Sequence, residues 1–210
     1  MPNRTKIDAA EKRPRGRPKA YDSQAALAQA TEAFWKAGYA GTSLDDIASA
    51  TGMNRPSLRA AFGDKRELYL RTLADYWTRK FELMHKALDG DERLTDSLMK
   101  VYEASLAVYF MGDGPARGCF VVGTAITEAN SDPDVQRMVA DGFRTLDACF
   151  EKRLTRAVAD GELPEGSDAV TLALLATATM HSIAVRARTG TPRAELQAMA
   201  RRAVDTICGG

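Results

Sequence analysis

Twenty residues, Ser43 to Phe62 (SLDDIASATGMNRPSLRAAF), constrain the fold of this 210-residue chain more than any other stretch. Leu44, Ile47 and Ala48 recur at helical spacing behind Ser43, with a carboxylate, Asp46, three residues on. That order predicts a capping box: the Ser43 oxygen accepts an orphan N–H of the first turn and Asp46 reaches back to the cap. Gly52 ends the helix, because glycine takes the left-handed conformation of a C-terminal turn without steric penalty. Asn54 caps a second helix, and Pro56 is tolerated there because first-turn N–H groups have no intrahelical acceptor. Leu58 and Phe62, four apart, give that helix one apolar edge, with Arg55, Ser57 and Arg59 off it. Ala48 is small enough for the second helix to cross the first closely. Two short helices in this relation form a helix-turn-helix, whose second helix lies in the DNA major groove. Any two amphipathic helices around a Gly turn share part of this pattern, so the flanks decide.

The flanks are specific. Gly38-Tyr39 closes the preceding helix, Thr42 to Ala48 reads T-S-hydrophobic-D-D-I-A, and the second helix runs into Phe62-x-x-Lys65-x-x-Leu68. Over roughly Asp22 to Trp77 the chain resembles the DNA-binding domain of the TetR family of bacterial one-component repressors. The resemblance implies an all-α fold: an N-terminal three-helix helix-turn-helix domain, joined by a long helix to a larger helical body for effector binding and dimerisation. It also implies a DNA-facing set of Thr42, Ser43, Arg55, Pro56, Ser57, Arg59, Phe62 and Lys65, with Lys65 on a phosphate. Arg59 departs from the family pattern, which commonly has a Tyr there. As arginines four apart, Arg55 and Arg59 suit the O6 and N7 acceptors of guanine.

A net charge of +1 conceals an asymmetry. Residues 1–20 carry seven Lys/Arg against two acids, a balance of +5; residues 21–80 carry eight against seven, and residues 81–210 fourteen against nineteen. A basic front and an acidic back suit a protein that meets DNA at one end. Within the front, Pro14-Arg15-Gly16-Arg17-Pro18 resembles the AT-hook core. Arg15 and Arg17 are therefore expected in an A/T-rich minor groove, the plain alternative being a solubilising tail. The expected division is a disordered basic arm over residues 1–20, the helix-turn-helix domain over 21–67 and the helical body over 68–210.

The body reads as helical throughout. A helix capped by Asp64 and Glu67 runs to about Leu88, followed by an apolar stripe over Arg93–Met111, the break GDGPARG, and a short apolar helix over Cys119–Ala129. Asp132-Pro133 opens a long helix ending near Gly161, and two last segments, 168–188 and 192–208, complete the chain. The small residues of that last pair suit close packing. A two-fold reader needs a two-fold dimer, so homodimerisation through these two helices is expected. An antiparallel pair finishing the monomer's own core is the alternative.

Aromatic, aliphatic and sulfur-bearing residues of the body, Trp77, Met84, Tyr102, Leu106, Tyr109, Phe110, Cys119, Phe120, Phe143 and Met180, are candidates to line an apolar effector pocket. Cys119 follows Arg117-Gly118 at the opening of a helix, where a nearby positive charge would favour a thiolate that senses electrophiles. Cys119 as plain core is the competing reading. Three cysteines without C-x-x-C and two isolated histidines encode no disulfide framework, metal site or cofactor. No nucleophile–base pair or phosphate loop suggests an enzyme. The N-terminus lacks an apolar h-region, and the weakly polar run Ala169–Met180 is shorter than the roughly 20 residues needed to span a bilayer. The leading expectation is a cytoplasmic DNA-binding transcriptional regulator, a repressor released from a palindromic operator by a small-molecule or electrophile effector. An architectural A/T-binding protein without an effector is the alternative.

Overall fold

The structure, a computed structural model, describes residues 22–112 and 114–209. The basic arm with Arg15 and Arg17 lies outside the described residues. The described residues form helices and connecting turns, with no strand among them. The head consists of α1 (Ser23–Ala37), α2 (Leu44–Thr51) and α3 (Arg55–Phe62). Its local grammar is as expected. Ser43 and Asp46 form a reciprocal capping box, Gly52 is left-handed at φ 64°, and Asn54 accepts the N–H of Ser57. Ile47, Leu58 and Phe62 bury against Phe34 of α1, where each apolar side chain is worth about 1.5–3 kcal/mol relative to exposure.

Helix α4 (Lys65–Leu88) begins at a second capping box, Asp64 with Glu67, and its 24 residues span about 36 Å at 1.5 Å per residue. Its first turns complete the head: Tyr69 meets Phe34 edge-on with ring centroids 5.0 Å apart. Its remainder enters the body, formed by α5 (Leu94–Tyr109), the short α6 (Ile126–Glu128), α7 (Pro133–Ala159), α8 (Ala169–Arg188) and α9 (Arg193–Ile207). At the head end, Arg66 pairs with Asp132 (2.5 Å) and Asp134 (2.7 Å), clamping the start of α4 to the start of α7. That guanidinium holds the Asp132 carboxyl down at about 2.

One element differs from expectation. The stretch Cys119–Ala129 is not a simple short helix: Val121–Ala125 is π-helical and only Ile126–Glu128 is α. The Ile126 N–H reaches back five residues to the Val121 carbonyl, the wide turn of a π-helix. Arg188 of α8 lies over this turn, its Nη1 2.5 Å from where a Cβ on Gly123 would sit. Gly118 is constrained by backbone: at φ +66°, its missing Cβ would fall 2.5 Å from the Ala184 carbonyl oxygen. The turn before the π segment therefore presses directly on α8.

Helix α8 packs against α5, α7 and α9, yet leaves one side apolar and open. Val170, Leu174, Leu175 and Val185 are each about half exposed on it. With 20 residues and a mean hydropathy of 1.4 over its best window, it is longer than the apolar run evident in the sequence. A helix that is half core and half apolar surface suits packing against another helix layer.

Candidate functional site

On the head, α3 presents a polar face. Arg59 and Pro56 are exposed, Ser57 is half-buried, and Ser43 stands exposed at the neighbouring cap of α2. Arg55 is not free to reach on its own. Its guanidinium makes a two-pronged ion pair with Asp45 of α2, and that hydrogen-bonded partner holds the Asp45 carboxyl below its usual range. Lys65, at the start of α4, rests its ammonium 4.3 Å above the ring of Tyr39, which fixes its position beside the head.

Two residues expected on the DNA face point inward. Phe62 is 3% exposed and belongs to the head core, where Arg71 of α4 lies 6.0 Å over its ring. Thr42 is 2% exposed, and its hydroxyl donates to the Gly38 carbonyl at 2.7 Å, tying the α1–α2 turn. Phe62 supports the reading helix from behind, and Thr42 fixes the turn that leads into α2. The i, i+4 relation of Leu58 and Phe62 already marks Phe62 as apolar edge.

In the body, a cavity of about 250 Å³ lies between α1, α4 and α5. Trp35 and Thr31 of the head wall it on one side; Tyr76, Lys80 and Leu83 of α4 and Ser105, Val108 and Tyr109 of α5 wall the other. A larger space of about 1,100 Å³ is an open groove between the head and the turn around Arg117, bordered by exposed residues such as Lys36, Asp46 and Ser49. The smaller cavity is the better ligand site because its surface is largely apolar and its floor, formed by Thr31, Trp35, Tyr76, Lys80, Ser105 and Tyr109, is buried. Trp35 joins the two halves. It meets Tyr76 and Phe120 edge-on at 5.5 and 5.4 Å, donates its indole N–H to the Arg117 carbonyl at 3.3 Å, and carries the Arg117 guanidinium 3.9 Å over its ring.

Of the ten residues expected to line an effector pocket, the structure brings only Tyr109 to this cavity. Met84, Tyr102, Leu106, Phe120 and Met180 are closed core, and Phe110 packs at the end of α5. Trp77 and Phe143 form a separate cluster with Phe81 and His181, and a Cβ on Gly142 would sit 2.2 Å from the Trp77 ring. A list chosen for apolar character finds core first, because most large apolar side chains are core.

Cys119 stands behind the cavity, buried, with its sulfur 3.1 Å from the Tyr76 hydroxyl. Arg117 does not supply the positive charge expected beside it, since its guanidinium is paired with Glu32 and stacked on Trp35. Sequence reasoning missed Trp35 and Lys80. Lys80 had a signal: it interrupts the inward stripe Leu73, Tyr76, Trp77, Met84, where a charged side chain is unexpected.

Against known proteins, residues 26–72 match the family described as bacterial regulatory proteins, tetR family. Residues 94–204 match the tetracyclin repressor-like C-terminal domain. The HTH-type transcriptional repressor ComR of Escherichia coli K12 is 30% identical over 190 residues, covering 90% of each chain. A solved structure of a cysteine-substituted CifR, a TetR family transcriptional regulator complexed with a 26-base-pair operator DNA, superposes with a TM-score of 0.80 at 30% identity, covering 90% of this chain and 98% of that one. The reduced form of E. coli NemR shares the fold, with a TM-score of 0.74 at 15% identity over 88% of this chain and 94% of that one.

Proposed function

The chain belongs to the tetR family of bacterial regulatory proteins and is a DNA-binding transcriptional regulator, and on that premise we propose that it is a repressor released from a palindromic operator by a small molecule held between α1, α4 and α5. The observation that carries this reading is the shared wall. The cavity is bounded by a head helix and by two body helices, so a ligand cannot fill it without contacting both. A ligand that fits the cavity better when α1 has tilted weakens DNA binding by its differential affinity, typically about 1–3 kcal/mol. Trp35 is the lever, because it touches α4, the Arg117 turn and Phe120 at once.

For DNA, the reading assigns base contact to Arg59, with Ser57, Pro56 and Ser43 beside it. Arg55 enters the groove in an orientation set by Asp45, and Lys65 takes a phosphate. Arg15 and Arg17 extend the contact into the minor groove. The division of labour follows as arm over residues 1–20, head over 21–67 and body over 68–210, with α4 shared between the last two. Dimerisation through α8 and α9 is supported by the open apolar side of α8, which a second copy would cover, and by the two-fold symmetry that a palindromic site demands. In this reading the protein works in the cytoplasm and has no catalytic activity.

The test is selection of duplexes from a random pool by the full chain. The expected product is a palindrome with two defined half-sites. A pool enriched only in A/T content would instead make this an architectural protein.

A further inference from the structure

Lys80 is the one feature of the cavity that neither DNA reading nor packing explains. It is 7% exposed and lies on the inward side of α4. An ammonium has three N–H donors. One goes to the Ser105 hydroxyl oxygen at 2.7 Å, and Ser105 gives its own hydrogen to the Val101 carbonyl at 2.7 Å. Among the described residues, no carboxylate lies within ion-pair distance of the Lys80 nitrogen. The two carboxylates on the cavity wall are already taken. Asp75 holds Arg79 at 2.9 Å and accepts from Gln24 at 2.9 Å, while Glu32 holds Arg117. Those two ion pairs cancel, so the cavity carries one uncompensated positive charge, and it belongs to Lys80.

Burying a charge without a counter-ion is costly, and burial pushes the Lys80 pKa down to about 8. The rest of the lining is suited to an apolar body: Trp35, Leu83, Val108 and Tyr109 surround the space. Its volume of about 250 Å³ falls below the roughly 300–1,000 Å³ of sites for drug-sized ligands. Resting on the reading of this cavity as the effector site, we propose that the effector is a small organic monocarboxylate. Its oxygens would accept the two remaining N–H groups of Lys80, and its hydrocarbon part would lie against Trp35 and Tyr109. One charge answers one charge; a dicarboxylate would bury a second anion beside Asp75 and Glu32.

The experiment uses the full chain and a panel of probes, hexanoate, benzoate and phenylacetate, each beside its neutral amide. Binding is measured by calorimetry and by the shift in melting temperature, on wild type, Lys80→Met and Lys80→Arg. At least one carboxylate should bind the wild type at least tenfold more tightly than its amide. Lys80→Met should fold and abolish that preference, and Lys80→Arg should retain part of it. Equal binding of acid and amide, carboxylate binding undiminished in Lys80→Met, or no carboxylate bound at all would overturn the proposal. Release of the selected operator DNA is followed on the same samples to separate the two readings. A carboxylate that binds through Lys80 and leaves DNA bound would contradict the repressor mechanism while keeping the anion site. Intact operator binding with no carboxylate bound would contradict the anion site alone.

Discussion

The head and the body of this molecule treat buried polar groups in opposite ways. In the head, each helix begins at a side-chain cap, Asp22, Ser43 and Asn54, and the shared α4 begins at Asp64. No buried side-chain nitrogen or oxygen among the described head residues lacks a partner. In the body, α5 and α9 begin without a side-chain cap. Buried atoms without a partner collect there: the Trp77 indole nitrogen, Asp147 Oδ1, the Thr177 hydroxyl, His181 Nε2 and two nitrogens of Arg153. Lys80 adds a charge with one of its three N–H groups bonded. A buried polar group left open is a place where water, a ligand or another subunit completes the structure.

That contrast breaks first at the head core. Phe34→Ala removes a fully buried ring that meets Tyr69, and should cost about 3–5 kcal/mol. Operator binding should vanish while most of the helical circular dichroism survives. A single melting transition that takes the body down with the head would mean that the two regions do not differ in the way described.

The next effect concerns Lys80. Its folded-state pKa of about 8 lies below the ordinary 10.5, so the unfolded chain binds the proton more tightly. Sign follows by linkage: the penalty is full below pH 8 and disappears above about 10.5. Wild type should therefore gain about 1–3 kcal/mol relative to Lys80→Met as pH rises through that window. The groups that face Lys80 are Glu32 on α1, Asp75, Tyr76 and Arg79 on α4, Tyr109 on α5, Arg117 and Cys119 in the connecting turn and His181 on α8. Ionisations that do not feel Lys80 are common to both proteins and drop out of the difference; His181, which burial and then the Lys80 charge push down, titrates below this window. A difference that stays flat with pH would mean the ammonium is solvated.

A smaller and more local effect sharpens the head side. Arg59→Ala should cost about 1–3 kcal/mol on the selected operator and relax preference at one base position. Arg55→Ala should cost less, because its guanidinium is already engaged by Asp45 and has less to give to a base. Competition binding against single-base variants reads both. Unchanged base preference in Arg59→Ala would remove that side chain from the groove.

How far the sequence was legible follows the same division. The caps, the Gly52 turn and the order of helices are local, written in residues three or four apart, and the structure has them where Ser43, Asn54, Asp64 and Asp132 predict. The cavity is not local. It arises where Trp35, Lys80, Ser105 and Tyr109 meet from three helices, and no spacing rule brings residues 35 and 105 together. The π-helical turn was also hidden, since nothing in the residue spacing of Cys119–Ala129 distinguishes Val121–Ala125 from an α-helical turn. The inward turn of Thr42 was not legible because residue type does not say which way a side chain points in a tight turn, whereas the inward side of Phe62 was legible in its spacing from Leu58.

The central claim is that head and body communicate through the cavity they share. The direct test is Ala28→Phe, which adds a ring to the α1 wall of that cavity without touching α3. Operator affinity is read by fluorescence anisotropy, with circular dichroism on the same sample. The account predicts an affinity at least about tenfold weaker with helical content unchanged, the ring standing in for a bound effector. An operator affinity equal to that of wild type, in a variant whose cavity is filled, would contradict it.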